Sequence, residues 1–436
     1  MMVAQLVNVL YNVVDRFFIS RIPENATLSV TGLGLCLPII MVVTAFANLF
    51  GQGGAPLFSI ARGKGKDDEA GRIMGNAFAL LVGTGLLLTA LGLIFHRPLI
   101  MLFGGSADTL PYASGYLSIY LVGSLFVMIS LGMNNFINAQ GFAKKGMVTV
   151  LIGAGINILL DPLFIFVFDM GVQGAALATI IAQFVSAIWV LAFLVGKKPE
   201  IRLKAEHMRL SARRVGSIFS LGLSPFIMSM TNSLVQTVNN ATLQAFGGDL
   251  YVGAMTIIGS VREIIMLPVS GITNSAQPVM GYNYGAKQYS RVRQAIRFMA
   301  IAGAVYTVVV WALVQLIPGI FIGLFNKDPI LAQLTLQPMR VYYMGFVFMA
   351  LQFAGQSTFL ALGKARHAIC FSLLRKVVIV VPLVLLLSGP VGMGAMGVFW
   401  AEPISDLLGG SASFVTMLLT VYLPMRKLTD VPRVEE

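Results

Sequence analysis

The chain has 436 residues, 57% of them hydrophobic and only 11% charged, with a mean hydropathy of +0.84 and a formal net charge of +12. A soluble domain carries about 25% charged residues, so a soluble globular enzyme or binding module is excluded and an integral membrane protein is expected. The two cysteines, Cys36 and Cys370, both fall in apolar stretches and support neither a disulfide framework nor a thiolate metal cluster.

A membrane helix needs about 20 mostly apolar residues to cross a hydrocarbon core of roughly 30 Å. Twelve such stretches follow one another, roughly 1–20, 29–61, 72–96, 112–140, 146–169, 172–196, 215–246, 250–282, 294–324, 332–362, 367–388 and 391–424. Unbroken runs such as FALLVGTGLLLTALGLIF lack the ten-residue alternation of a membrane barrel, so the expected fold is all-α. The first stretch has no basic leader and no small-residue cleavage site, so it reads as a membrane helix and not as a signal peptide. It starts abruptly, as if leading residues were absent.

Most of the 30 Lys and Arg sit in alternate links: 62–72, Lys144 and Lys145, 197–214, 287–297, Lys364 and Arg366, and the end of the chain. The other links hold only Arg21, Arg97 and Lys327. The positive-inside rule puts the basic set in the cytoplasm. An even number of spans then leaves both termini there, in a multi-pass plasma (inner) membrane protein. The charge serves topology and contact with lipid headgroups, and nucleic acid is not expected as a partner.

Offset by 222 residues, the chain matches itself. PLFSIARG (56–63) falls on PVMGYNYG (278–285), Gly141 falls on Gly363, and GVQGAALAT (171–179) meets GAMGVFWAE (394–402) at 223. The expected organisation is two six-helix repeats: a first lobe over 1–196, a basic cytoplasmic connector over 197–214, a second lobe over 215–424 and a tail over 425–436. Parallel repeats of this kind share an axis along the membrane normal and place a site near the midplane.

An ionisable residue inside the bilayer costs about 2.5–3.5 kcal/mol on insertion scales and is a functional candidate by default. The first half has Asp15 beside Arg16, and Asp161. The second half has Arg262 and Glu263, Arg375 and Lys376, and Glu402 and Asp406, three cations against three carboxylates that can pair. Asp15 and Asp161 fall at a similar depth and together can share a proton or hold Na⁺ through hard oxygen ligands. Asn157 lies four residues before Asp161, on the same helical face, and Pro162 frees a carbonyl and bends the helix. Thr179 on the next span can add a hydroxyl, and it sits where the repeat has Glu402. Asn8, Asn12 and Asn135 are candidate substrate-cavity residues, with interhelical hydrogen bonding as the alternative.

The segments VVDRFFISR (13–21), NILLDPLFIF (157–166), GVQGAALAT (171–179) and QPVMGYNYGAK (277–287) resemble those of the multidrug and toxic compound extrusion (MATE) transporters, and the resemblance runs over all 436 residues. It implies a V-shaped pair of six-helix lobes in alternating access that expel organic cationic and amphipathic compounds in exchange for H⁺ or Na⁺. It also matches Asp15, Asn157, Asp161 and Thr179 to a first-lobe cation site. Some members carry a key acid in the seventh span, where this chain has only neutral residues and Glu263 in the eighth is the nearest substitute.

The expected function is therefore secondary multidrug antiport. No cofactor is expected beyond the coupling ion. The partners are small organic compounds and membrane lipids, and the protein is expected to be a monomer. A nucleotide loop of the form GxxxxGK[ST] is absent, so an ion gradient supplies the energy. The alternative is a related lipid-linked-precursor flippase, in which Arg262, Arg375 and Lys376 would face a pyrophosphate. An intramembrane enzyme is not expected, because His96, His207 and His367 lie at loops or span ends and no HExxH occurs.

Overall fold

A computed structural model describes residues 26–103, 106–325 and 328–431, and among these the chain is helical with no strand. The first expected span, with Asn8, Asn12 and Asp15, lies outside the described residues. In chain order the helices are α1 (Ala26–Gly63), α2 (Asp67–Leu102), α3 (Leu110–Val122), α4 (Ser124–Ala139), α5 (Ala143–Pro162) and α6 (Gly171–Val195). They continue as α7 (Ala212–Gly285), α8 (Tyr289–Leu316), α9 (Pro318–Gly323), α10 (Pro329–Tyr343), α11 (Phe346–Ala361), α12 (Ala365–Leu373), α13 (Val381–Ser388), α14 (Ala395–Met417) and α15 (Leu423–Arg426). Their outward faces are apolar, with Leu86, Ile94, Phe298, Val305 and Leu419 all exposed, as a lipid-facing surface requires. With the long apolar helices, this makes a multi-pass membrane protein.

The helices match the eleven expected spans from 29 onward, with differences that have local causes. The 74-residue α7 is two spans meeting at Gly248, where φ is 69° and ψ −168°, a conformation that only glycine adopts cheaply. The spans expected at 112–140 and 332–362 are each broken, α3 from α4 by a 53° bend and α10 from α11 by 44°. Hydropathy is continuous through both bends, so composition does not reveal them. Asp328 starts α10 by accepting the Ile330 amide at 3.0 Å, with Pro329 in the first turn.

The described residues divide into two compact units, 26–62 with 66–222 and 63–65 with 223–431. The boundary falls inside α7 and not in a loop. Left-handed backbone recurs at the repeat offset: Gly65 with Lys287, Gly141 with Gly363, Asp169 with Gly392, and Gly171 with Gly394 all have positive φ. The bends recur too, since Gly123 and Gly345 are 222 apart. A Cβ on Gly123 would fall on the Ile180 side chain, and one on Gly345 would meet the Pro403 backbone at 2.5 Å. Ile180 and Pro403 are themselves 223 apart.

In the first unit, the segment 197–211 is an ordered strap laid across the start of α2. Buried Asn76 donates to the carbonyls of Arg72 (2.8 Å), His207 (3.2 Å) and Arg209 (3.0 Å) and accepts from the Ser211 amide at 2.9 Å. Gly71 and Gly75 leave room for His207, because a Cβ on either would come within 2.6 Å of it. The Ile201 amide donates to Gln140 Oε1 at 3.3 Å, and Arg214 pairs with Glu69 at 2.7 Å. In the second unit the tail plays the same part for α8. Asp430 accepts from the amide and hydroxyl of Ser290, and Gln288 donates to the Val431 carbonyl at 2.6 Å.

Candidate functional site

Helix α5 runs regularly to Pro162 and then widens into a π turn over Leu163–Val167. Proline cannot donate to the helix and pushes the preceding turn open, and π turns concentrate at functional sites. Asp161, immediately before the break, is 0% exposed, and its neighbours Asn157 and Thr179 are 1% and 4% exposed. The Asn157 amide nitrogen donates to Asp161 Oδ1 at 3.3 Å and to Thr179 Oγ1 at 3.2 Å. One amide thus ties the α5 carboxylate to α6. Asn157 Oδ1 is buried without a hydrogen-bond partner. Rotating the amide by half a turn would exchange donor for acceptor and give a cation three oxygens, from Asp161, Asn157 and Thr179, of the hard type that suits Na⁺ or a proton.

Asn157 and Thr179 line a cavity of about 60 Å³ between α4, α5 and α6, closed by Ser130, Asn134, Thr149, Gly153, Gln183 and Ser186 among others. Its wall is mostly apolar, with Leu131, Val150, Ala154 and Ala182 between the polar side chains, and its size suits ordered water held by those polar groups. Across it, Ser130 donates to Gln183 Oε1 at 2.5 Å and Ser186 donates to the Thr149 carbonyl at 3.3 Å. Sequence reasoning singled out none of Ser130, Thr149, Gln183 and Ser186, because single Ser, Thr and Gln residues in spans carry no charge signal. Asn135, a candidate for the substrate cavity, turns its amide back to the Leu131 carbonyl at 3.0 Å.

In the second unit the structure brings together Arg262 of α7, Glu402 and Asp406 of α14, and Arg375 and Lys376 of the π turn Leu374–Val380 that follows α12. A single oxygen, Glu402 Oε1, receives Arg262 at 2.6 Å, Arg375 at 2.5 Å and Lys376 at 3.1 Å. Arg375 also pairs with Asp406 at 2.7 Å, and Tyr342 hydrogen-bonds Arg262 and lies beneath its guanidinium. Glu263 is not part of this cluster. It is exposed, because adjacent residues on a helix diverge by about 100°. The expected match of three cations to three carboxylates is therefore three to two within the cluster. Tyr342, inside the expected span 332–362, was missed because a neutral aromatic residue in a span carries no charge signal.

Four likenesses to known proteins accompany this arrangement. The family model MatE matches residues 1–163 and 225–386. The "Multidrug export protein MepA" of Staphylococcus aureus (strain MRSA252) is 25% identical over 434 residues, which cover 98% of this chain and 93% of that protein. Among solved structures, that of the MATE multidrug transporter DinF-BH superposes with a TM-score of 0.87 at 33% identity, covering 96% of this chain and 93% of that one. A MATE in the bent conformation gives a TM-score of 0.92 at 20% identity, over 98% and 94% of the two chains, and shows the same fold.

Proposed function

The chain belongs to the MatE family, and from that premise we propose that it exports organic cationic and amphipathic compounds in antiport with H⁺ or Na⁺ by alternating access. The observation that carries the coupling half is the fully buried carboxylate of Asp161, joined through Asn157 to Thr179 beside a small cavity at a broken helix. Burying a carboxylate in an apolar membrane core favours its neutralisation, and both H⁺ and Na⁺ do this. The MepA and DinF-BH likenesses support the multidrug half.

In this mechanism the outward-open state loads Asp161 with its ion, with Asp15 as a second carboxylate at that depth. Loading neutralises the buried carboxylate, and α5 rearranges at Pro162, where the backbone is already loosened. The compound leaves on the outside, and the inward-open state sheds the ion to the cytoplasm. The basic links 62–72, 197–214 and 287–297 face the cytoplasm in this arrangement, in a bacterial-type inner membrane, and the transporter acts as a monomer.

Purified protein in proteoliposomes tests this by dye efflux under an imposed pH gradient and then an imposed Na⁺ gradient. At least one gradient should drive efflux, and Asp161→Asn and Asp15→Asn should abolish the driven component while the protein still inserts. Full gradient-driven transport in both variants would overturn the coupling assignment. The flippase alternative depended on free cations, whereas Arg262, Arg375 and Lys376 are all held by Glu402. Tight polyprenyl-pyrophosphate binding without dye efflux would restore it.

A further inference from the structure

The buried charge cluster of the second unit stands at the repeat positions of the first unit's cavity wall. Gly153 and Ala154 correspond at 222 to Arg375 and Lys376, while Thr179, Gln183 and Ser186 correspond at 223 to Glu402, Asp406 and Gly409. Gly174 packs on Phe164 and Gly397 on Leu387, both pairs in the 223 register.

Contacts confirm the correspondence independently. A Cβ on Gly153 would lie 2.8 Å from Ser186 Oγ, and a Cβ on Gly409 would lie 3.2 Å from the Arg375 side chain. The same two positions touch in both units, with the large and small partners exchanged. In the first unit five of these positions, Gly153, Ala154, Thr179, Gln183 and Ser186, border open space. In the second unit that space is filled by the Arg375 and Lys376 side chains, 1% and 7% exposed, lying on Glu402 and Asp406, 4% and 2% exposed. The counterparts of Asn157 and Asp161 fall within 379–384, which is apolar throughout.

We infer that Arg375 and Lys376 are tethered counter-cations that fill, in the second unit, the place where the first unit takes its exchangeable cation, so that this chain needs a coupling ion in the first unit alone. The inference rests on the reading of Asp161 as a coupling residue. An exchangeable ion arrives and leaves because its binding is balanced against water. A guanidinium held by covalent attachment cannot leave, and its two carboxylate partners are satisfied in every state of the cycle. The second unit then keeps its buried carboxylates paired without an external ion.

Removing both tethered cations leaves Arg262 facing two buried carboxylates, one negative charge in excess, and an opened space. The test is thermal unfolding of the purified full chain in detergent, with NaCl titrated against choline chloride and pH varied from neutral to mildly acidic. In Asp161→Asn the response of the wild type to H⁺ or Na⁺ should disappear. In Asp161→Asn combined with Arg375→Ala and Lys376→Ala, a new response should appear, with the melting temperature rising by several degrees as Na⁺ or acid is supplied. Adding Asp406→Asn should remove that response while leaving the opened space.

The bulk-preserving pair Arg375→Gln and Lys376→Met replaces the alanines where these prevent folding. No new cation response in the folded combination overturns the inference. So does a response in Asp161→Asn that disappears on adding Asp406→Asn, because the cluster would then itself exchange ions. A wild-type response retained in Asp161→Asn and unaffected by Asp406→Asn overturns instead the coupling role of Asp161.

Discussion

Gly345 and Gly123 hold equivalent bends at unequal cost. An alanine at 345 would put its Cβ 2.5 Å from the Pro403 Cα, backbone that has no rotamer to yield, whereas at 123 the obstacle is the Ile180 side chain. Gly345→Ala should therefore lower stability by about 1–3 kcal/mol, in the range for overpacking a tight core, and by more than Gly123→Ala. Thermal unfolding of the two variants side by side checks the order, and a milder Gly345→Ala would count against the packing argument. At this scale the sequence was readable where chemistry is dense. The register of Asn157 and Asp161 could be taken from helical spacing alone. The placement of Glu263 could not, because a count of charges in a span does not say which face each one occupies. The convergence of three cations on one oxygen of Glu402 likewise depends on packing among α7, the π turn Leu374–Val380 and α14.

Among elements, the strap 197–211 is the one whose packing the sequence showed least. A basic, loop-like composition suggested a connector, and a single buried side chain, Asn76, makes three hydrogen bonds that fix His207, Arg209 and Ser211 of the strap and a fourth to the Arg72 carbonyl of its own helix. Leaving such buried groups unpaired costs about 1–3 kcal/mol. Asn76→Ala should thus lower the melting temperature and open the strap to trypsin at Lys204 and Arg209, read as new fragments in limited digestion. An unchanged digestion pattern would show that other contacts hold it. The tail clasp has a pH dependence with a defined sign. The amide and hydroxyl of Ser290 hold the Asp430 carboxyl below its ordinary range, so the clasp is fully present above about pH 4, the usual carboxylate value, and is lost as pH falls through the lowered value. Hydrogen exchange at residues 427–431 should quicken there, and at neutral pH in Asp430→Asn.

For the whole molecule, the offset near 222 was legible in a few Gly and Pro matches, and the structure extends it to left-handed residues, bends and clasps. Periodicity survives in sequence where backbone geometry restricts the residue, as at Gly141 and Gly363. It is lost where side chains have diverged, as between Gly153 and Arg375, and there the kinship shows only in which positions touch. The breaks at Gly123 and Gly345 stayed hidden because a bend leaves mean hydropathy unchanged.

The tail clasp has a practical consequence for handling this protein. A purification tag or fluorescent reporter joined directly after Arg426 would replace the residues that cap α8, and would report on a second unit with a loosened end. A junction beyond Val431 keeps the Ser290 and Gln288 contacts intact, so the choice of fusion point is itself a variable in any measurement of folding or activity.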